Sequence, residues 1–584
     1  MNFIEALQEK VKQKLNETLH ALDATQAYDL SKVVLESPKE KTHGDFATNA
    51  AMVLAKGLGM SPQKLATYFI EKLKELPEIK EASIAGPGFI NLSLKEEVWY
   101  DMLPKIYSQG ASYGKSLAFK GKTANVEYVS VNPTGPLHTG HGRNAVLGDA
   151  IASLLHAVGY TVTKEYYVND AGGQVDHLAR SVYLRYEQEL GKTLTEQDFS
   201  KDMYRGDYLI PVGKALAEKY KDQFLNQPES VWLEMFKTEA VAHMMIPIKE
   251  DLKSLGVDMD IYTSEKGLWD KKLIEKTVET LTQKGAIYQG ILEAPKGHTL
   301  EDWEPREQKL FKSTAYGDDK DRSVQKSDGS WTYFAGDLAY HYDKLQRGYD
   351  SLVNVFGADH AGYLKRLKAA VKALSDDTVD LEICVCQMVN FVDKGAPVRM
   401  SKRAGTFIRL KDLIDRVGKD ATRFLLLTRR HDVSIDFDFE KAVEQSKDNP
   451  LFYVQYAHAR INSVYKHALE TFSDLKEEDL KEAKSGLLKD VAEHEIIKLV
   501  SKWPSIIEQA AKAREPHRIT AFLQELAGSF HALWNKGRDN VDLRFIAPKD
   551  KDLSLARLLL LKTLALVLAS GLTLLGIEPV DEMH

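Results

Sequence analysis

The spacing of apolar positions changes along the chain, and the changes divide it. Over the first 115 or so residues apolar positions follow helical spacing, interrupted by one short β-like run, GPGFINLSL (86–94). A Gly- and Lys-rich connector, GKSLAFKGK, closes this stretch, which predicts a small α+β domain over residues 1–115. From residue 123, TANVEYVSVN reads as a strand, GRNAVLGDAIASLLHAVGY as a helix and TVTKEYYV as a second strand. Leu147, Ile151, Leu154, Leu155 and Val158 put one helix face against a sheet, so the unit predicts a right-handed parallel crossover.

Long amphipathic patterns rich in Lys and Glu occupy residues 180–310, before strand signals return at SLVNVF (351–356) and LEICVCQMVNFV (381–392). They predict a helical insertion into an α/β domain spanning 120–415. Beyond about residue 415 strand signals vanish, and residues 416–584 predict an all-helical bundle. The most apolar segment, LARLLLLKTLALVLASGLTLLGI, is interrupted by Arg557 and Lys562. Its uncharged run of about 15 residues falls short of the ~20 that span a bilayer, so a buried core helix is expected.

A chain of 584 residues with 43% hydrophobic and 28% charged residues has material for several cores and is neither disordered nor collagenous. Its start, MNFIEALQEKVKQKLNETL, lacks the apolar stretch of a signal peptide and carries acidic residues that a transit peptide avoids. Cys384 and Cys386 are the two cysteines, which leaves no disulfide framework and no four-thiolate zinc site. A cytoplasmic protein without membrane contact is expected. The net charge of −7 gives no global sign of nucleic-acid binding, so any such contact must be local, as in YLKRLKAAVK (363–372) or RMSKRAGTFIRLK (399–411).

The sharpest motif is His138-Thr139-Gly140-His141, where the first strand passes through Asn132-Pro133-Thr134-Gly135-Pro136 into a helix. Free N–H groups and the positive helix end favour an anion there, and Gly140 lets a flat base or phosphate approach. Two imidazoles about one turn apart add donors to nucleotide phosphates without covalent chemistry. Surface histidines that merely cap a helix fit the same string, as does a zinc pair that lacks an evident third ligand. The second motif, Arg399-Met400-Ser401-Lys402-Arg403, lies between Gly395 and Gly405 and suits a lid whose lysine meets a leaving pyrophosphate, with Ser401 adding a hydrogen bond.

H-x-G-H, a helical insertion, then M-S-K before an all-helical last third is an ordered pattern similar to class I aminoacyl-tRNA synthetases. VEYVSVNPTGPLHTGHGRNAVLGD, EYYVNDAGGQ (165–174), GADHAGYLKRLKA and RMSKRAGTFI resemble the arginyl-tRNA synthetases of bacterial type. HGDFATNAAMVLAK (43–56) and GPGFINLSL resemble that family's extra N-terminal domain, and GKDATRFLLL (418–427) its D-A-L-R segment. The departures are Thr139 for Ile, Arg399 and Arg403 at the edges of the K-M-S-K-S string, and Thr422 for Leu; the second lysine, Lys402, is retained.

The resemblance implies a multidomain α/β protein: a Rossmann-like parallel-sheet catalytic domain with a helical insertion, a small α+β N-terminal domain and an all-α anticodon-binding bundle. It implies an arginine–tRNA ligase that uses ATP with Mg²⁺ and no prosthetic group, acts on L-arginine and tRNA(Arg), has no protein-held metal and works as a monomer. His138, His141 and Lys402 are the implied catalytic residues, and Gly140, His360, Met400 and Ser401 join them around ATP. Glu127, Tyr333 and Asp337 are implied at the arginine side chain, and Ser130, Asn132 and Asp359 at its α-groups. Carboxylates suit this substrate, because a guanidinium is planar, always charged and carries five donors. Phe89 and Asn91 are implied to meet the outer corner of tRNA, and Tyr456 and Arg460, on one helical face, are expected at RNA bases. Another class I synthetase, a nucleotidylyltransferase and a catalytically silent RNA-binding module remain as rivals, separable by exchange and charging assays.

Overall fold

The computed structural model describes residues 3–23, 27–38, 40–292, 306–398 and 408–583. In the first helix, Phe3–Leu22, Leu7, Val11, Leu15 and Leu19 recur every fourth residue and are buried as one stripe. The stripe belongs to a domain whose antiparallel sheet runs Leu35–Glu36, Phe46–Thr48, Phe89–Leu94, Ile79–Ala85 from edge to edge. Along Phe89–Leu94 the inward positions are Ile90, Leu92 and Leu94, which turns Phe89 and Asn91 to the other face. Phe89 is 40% exposed, so it is no core residue.

This domain docks on the C-terminal bundle. Tyr100 Oη donates to Leu488 O at 2.8 Å and lies 2.7 Å from His494 Nε2. Tyr113 Oη reaches Val500 O at 3.0 Å and Ser501 O at 3.2 Å, and Lys498 pairs with Asp45.

The central sheet has five parallel strands in the spatial order Asp380–Cys386, Ser351–Gly357, Thr123–Glu127, Thr161–Val168, Ile261–Ser264. In chain order this is 5-4-1-2-3, so the direction of winding reverses between Thr123–Glu127 and Ser351–Gly357. Ligands of doubly wound sheets bind outside the carboxyl ends of the strands at that reversal.

Two short-strand features depart from the sequence expectation. The stretch 180–310 is not wholly helical: Gly173–Glu189, Ile210–Tyr220 and Glu229–Ser254 form a helical unit around the stacked Tyr183 and Trp232, but Ile261–Ser264 is the edge strand of the main sheet. Ile287–Gly290 and Gln308–Phe311 then pair in a second, antiparallel sheet with Arg322–Gln325. Beyond residue 415, Ile435–Asp438 runs parallel to Val389–Asp393. Strands of four residues carry barely two periods of alternation, too little to register against helical flanks.

The bundle consists mainly of Pro450–Thr471, Val491–Ala513, His517–Asp539 and Lys551–Leu574. The terminal helix is long and apolar enough to cross a membrane by composition, yet Leu558 to Leu561, Leu564, Leu568 and Leu572 are all buried in the bundle. Its Leu-rich surface is hydrophobic on nearly all sides because it is the core.

Candidate active site

The loop after strand Thr123–Glu127 leaves the sheet at the winding reversal under strain. Val129 and Ser130 adopt φ of 68° and 41°, a region a β-branched residue avoids. Neighbours hold it there: Asn144 Oδ1 accepts the Val129 N–H at 2.6 Å, Ser130 Oγ accepts the Tyr167 N–H at 3.0 Å, and Tyr166 Oη donates to Val131 O at 2.8 Å. Asn144 also donates to Val355 O at 3.0 Å, which bridges the two strands that flank the reversal. Asn132 Nδ2 donates to Gln174 Oε1 at 2.7 Å.

The loop ends at the helix Thr139–Ala157, whose N-cap is His138. His138 Nδ1 accepts the Gly140 N–H at 3.1 Å, and His141 Nδ1 accepts the His138 N–H at 3.3 Å, a reciprocal cap made by two imidazoles. The rings stack with centroids 3.5 Å apart. With both Nδ1 atoms accepting, each neutral ring carries its proton on Nε2. Gly140 permits the stack, since a Cβ there would lie 3.0 Å from the His138 ring.

The helix is seated by side chains that its sequence does not advertise. Gly148 packs against Tyr128 so closely that a Cβ would fall 2.1 Å from the ring. Arg143, 1% exposed, donates to the carbonyls of Gln387, Val433 and Arg430 at 2.8 to 2.9 Å. This ties the helix to the segment that bears the hairpin Val389–Asp393 and Ala396–Pro397. Lys402, Met400 and Ser401, expected on the lid that follows, lie outside the described residues, as do Arg399 and Arg403. The flank on the far side is described: Thr139 donates its N–H to Ile408 O at 3.0 Å, and Leu410 donates to Leu137 O at 2.8 Å. Residues 408–410, which follow the M-S-K string in sequence, therefore lie against H-x-G-H.

Carboxylates gather around helix Tyr333–Gln346. Asp337 and Tyr333 stand one turn apart on helix Tyr333–Gln346, with Asp337 partly buried and Tyr333 87% exposed. Tyr363 Oη donates to Asp337 Oδ2. Glu265, on helix Glu265–Asp270 after the edge strand, is buried, and a Cβ on Gly336 would lie 3.6 Å from its Oε1. Its Oε2 finds no hydrogen-bond partner among the described residues. Burial, then the charge of Asp337 and that of Asp170, pushes the Glu265 carboxyl up to about 7, against the hydroxyl of Tyr167. Burial and the charge of Glu127 likewise push Asp337 up to about 7, against the hydrogen bond from Tyr363 and the charge of Arg366. Asp170 is already satisfied by Ser264 Oγ and the Lys266 N–H.

Glu127 is placed differently. It is buried, and its Oε2 accepts from Lys344 Nζ at 2.6 Å. Lys344, fully buried, also donates to Asn354 Oδ1 at 3.1 Å and lies over the Tyr340 ring. His341 meets Asn354 Nδ2 and the Asp337 carbonyl, and burial and Lys344 push it down to about 3, so it is neutral. Glu127 is thus paired within this buried network, and its charge reaches Asp337. Asp359 and His360 fall in the turn Ala358–Tyr363 at the end of strand Ser351–Gly357, but their side chains lie outside the described residues.

Family profiles match in chain order across this architecture. One described as the arginyl tRNA synthetase N terminal domain covers residues 5–94, one described as tRNA synthetases class I (R), catalytic domain, covers 102–467, and the DALR anticodon binding domain covers 454–583. The chain belongs to the arginyl-tRNA synthetases. The arginine–tRNA ligase of Ruegeria pomeroyi is 52% identical over 559 residues, 96% of each chain. That of Cereibacter sphaeroides is 49% identical over the full length of both. The arginyl-tRNA synthetase of Thermus thermophilus shares the fold, with a TM-score of 0.74 over 98% of this chain and 100% of that one at 20% identity.

In this synthetase the residues expected at tRNA fall within the two outer matched segments. Phe89 and Asn91 share the sheet face turned away from the N-terminal core. In the bundle Arg460 lies over both Tyr456 and Trp534, at 4.3 and 4.4 Å, and Tyr456 stacks on Phe452 and His531. Tyr456 and Arg460 were expected from the sequence on one helical face; Trp534 and His531, which join them, come from helix His517–Asp539. Tyr453 and Tyr465, on the same helix as Tyr456, pack against the core.

Proposed function

We propose that this arginine–tRNA ligase performs both steps of its reaction in the crevice at the winding reversal, with the recess of Asp337 and Glu265 as its arginine pocket. The observation that carries this is the acidic pair itself: a buried carboxylate oxygen without a partner beside a second carboxylate. Tyr363 meets one oxygen of Asp337, and a guanidinium offers a fork of donors and a positive charge to the oxygens that remain. Tyr333 flanks the pocket mouth, Glu127 lends its field, and Ser130, Asn132 and Asp359 take the α-amino and α-carboxylate groups.

ATP lies over the N-terminus of helix Thr139–Ala157, where the Nε2–H groups of His138 and His141 aim donors at phosphate oxygens and Gly140 leaves room for the nucleotide. His360, Met400 and Ser401 complete its surroundings. The arginine carboxylate attacks the α-phosphorus, the bond to the β-phosphate oxygen breaks, and Lys402 neutralises the departing pyrophosphate. The 2′-hydroxyl of the terminal ribose then attacks the arginyl carbonyl and AMP leaves. Alignment and charge stabilisation suffice for both steps, without a covalent enzyme intermediate. Mg²⁺ would accompany ATP and offset the charge of its phosphates.

The pocket also explains selectivity. A shorter or uncharged side chain leaves the two carboxylates unpaired, which rejects it without an editing step. tRNA(Arg) is held at its outer corner by Phe89 and Asn91 and at its anticodon by Tyr456 and Arg460. The protein acts as a cytoplasmic monomer, in keeping with the free thiols of Cys384 and Cys386. The test is aminoacylation of purified tRNA(Arg) with each of the twenty amino acids. Charging with arginine alone is expected; charging with another amino acid, or none, overturns the pocket assignment.

A further inference from the structure

Arg423 is fully buried, and its guanidinium joins elements from three distant parts of the chain. Nε donates to Leu575 O at 2.6 Å, Nη1 to Leu255 O at 3.0 Å and Nη2 to Asp149 Oδ2 at 2.6 Å. Leu255 is the C-cap of Glu229–Ser254 and Leu575 that of Lys551–Leu574, so one cation sits on the negative ends of two helices. Each helix ends in a left-handed glycine, Gly256 at φ +77° and Gly576 at φ +71°. A Cβ at Gly576 would lie 2.4 Å from Arg423 Nη2, so the guanidinium reserves that position for glycine as much as the backbone does.

The third partner lies on the helix of His138 and His141. Asp149 is 6% exposed, and its other oxygen lies 3.4 Å from both Tyr128 Oη and Lys164 Nζ. Tyr128 is the residue whose ring fills the notch at Gly148, next to the strained Val129. The insertion, the last helix of the bundle and the helix that presents the imidazoles therefore meet on one side chain. A buried ion pair is weak evidence for stability, because desolvation offsets most of the attraction, whereas fixing one register is the best-attested use of such a pair. A planar fork with three differently directed bonds fixes orientation as a point charge does not.

We propose that Arg423 is a positioning residue for adenylate formation: through Asp149 it sets the helix Thr139–Ala157, and with it His138 and His141, in register with the insertion and the anticodon-binding bundle. The inference rests on the reading of H-x-G-H as the ATP site. It differs from that reading in its failure, since loss of the ATP site abolishes wild-type activity while the positioning role is read from variants against an active wild type.

The test compares Arg423→Lys and Asp149→Asn with Arg557→Lys. Arg557 makes an equally buried pair with Glu493 at 2.8 Å and caps Arg544 O, wholly within the bundle. Arginine-dependent ATP–pyrophosphate exchange is measured with tRNA(Arg) present, at a temperature where each protein is folded by circular dichroism. Arg423→Lys and Asp149→Asn are expected to lower kcat by about 10- to 100-fold, the scale of a misplaced reacting group, with KM for ATP and arginine within about twofold. Arg557→Lys is expected to lower the melting temperature comparably and to leave kcat unchanged. Should Arg423→Lys fail to fold, the isosteric Asp149→Asn carries the test alone. Wild-type kcat in Asp149→Asn, or an equal loss in Arg557→Lys, overturns the proposal.

Discussion

Lys344 Nζ lies 2.6 Å from Glu127 Oε2 with the two side chains 0% and 5% exposed, so the acid on the first strand is paired inside the protein. In the proposed pocket the carboxylates that answer a guanidinium directly are Asp337 and Glu265. This division of labour leads to the first prediction. Lys344→Met strands the Glu127 charge and should destabilise the fold by about 3–5 kcal/mol, while the double variant with Glu127→Gln recovers much of the loss. Urea unfolding of the four proteins of the cycle measures the coupling; additive losses would show that the pair is energetically idle.

Asp337→Asn keeps the shape of the side chain but removes half of the acidic pair. Arginine should bind at least ~100-fold more weakly, equivalent to about 2.7 kcal/mol, with ATP affinity near normal. Calorimetric titration with each ligand separates the outcomes. Unchanged arginine binding removes Asp337 from the pocket, and parallel loss of both ligands marks structural damage.

The pocket should couple arginine to protons. Asp337 and Glu265 are both pushed up to about 7, with Glu127, Asp170 and Tyr167 around them and Arg366 and Lys344 as the nearby cations. A raised carboxyl holds its proton in the empty protein above the ordinary carboxylate range, so folding stability from this pair falls as pH rises from that range towards 7. A bound guanidinium favours the ionised forms, so arginine affinity should rise with pH up to about 7, by roughly tenfold per unit for each proton released. Titrations at pH 6.5 in two buffers of different ionisation enthalpy count the protons; zero release contradicts the coupling.

Lys402→Ala should slow adenylate formation by about 10² to 10³, roughly 2.7 to 4 kcal/mol of transition-state stabilisation, with arginine affinity little changed. Pyrophosphate exchange at saturating arginine reads the rate. A raised arginine Kd with a normal rate would move Lys402 from chemistry to binding.

What the sequence disclosed depended on how local the signal was. His138 and His141 were legible because strand, turn and helix stand in one string, and the reciprocal cap they form follows from that spacing. Glu265 was not, since it is a lone acid after a four-residue strand inside a Lys- and Glu-rich stretch, where one more acid reads as surface. Glu127 was expected from family likeness, but its partner was hidden: a lysine on HYDKLQR reads as solvated, and only the register of helix Tyr333–Gln346 against the sheet buries it. Arg423 stands in the segment that resembles D-A-L-R, and nothing in its sequence neighbours announces carbonyl partners 168 and 152 residues away. The face shared by Trp534 and Arg460 needed two helices to be brought together.

The contact of the N-terminal domain with the bundle also has a consequence in time. Tyr113 finds its acceptor on Val500, 387 residues later in the chain. At roughly 5–20 residues per second on the ribosome, the docking face of the first domain waits about 20 to 80 seconds for its partner to emerge. The bundle itself closes only when Lys551–Leu574 has left the exit tunnel. Until then the core that the leucines of that helix will fill stands open, so a nascent chain exposes it to chaperones and proteases for the whole of that interval.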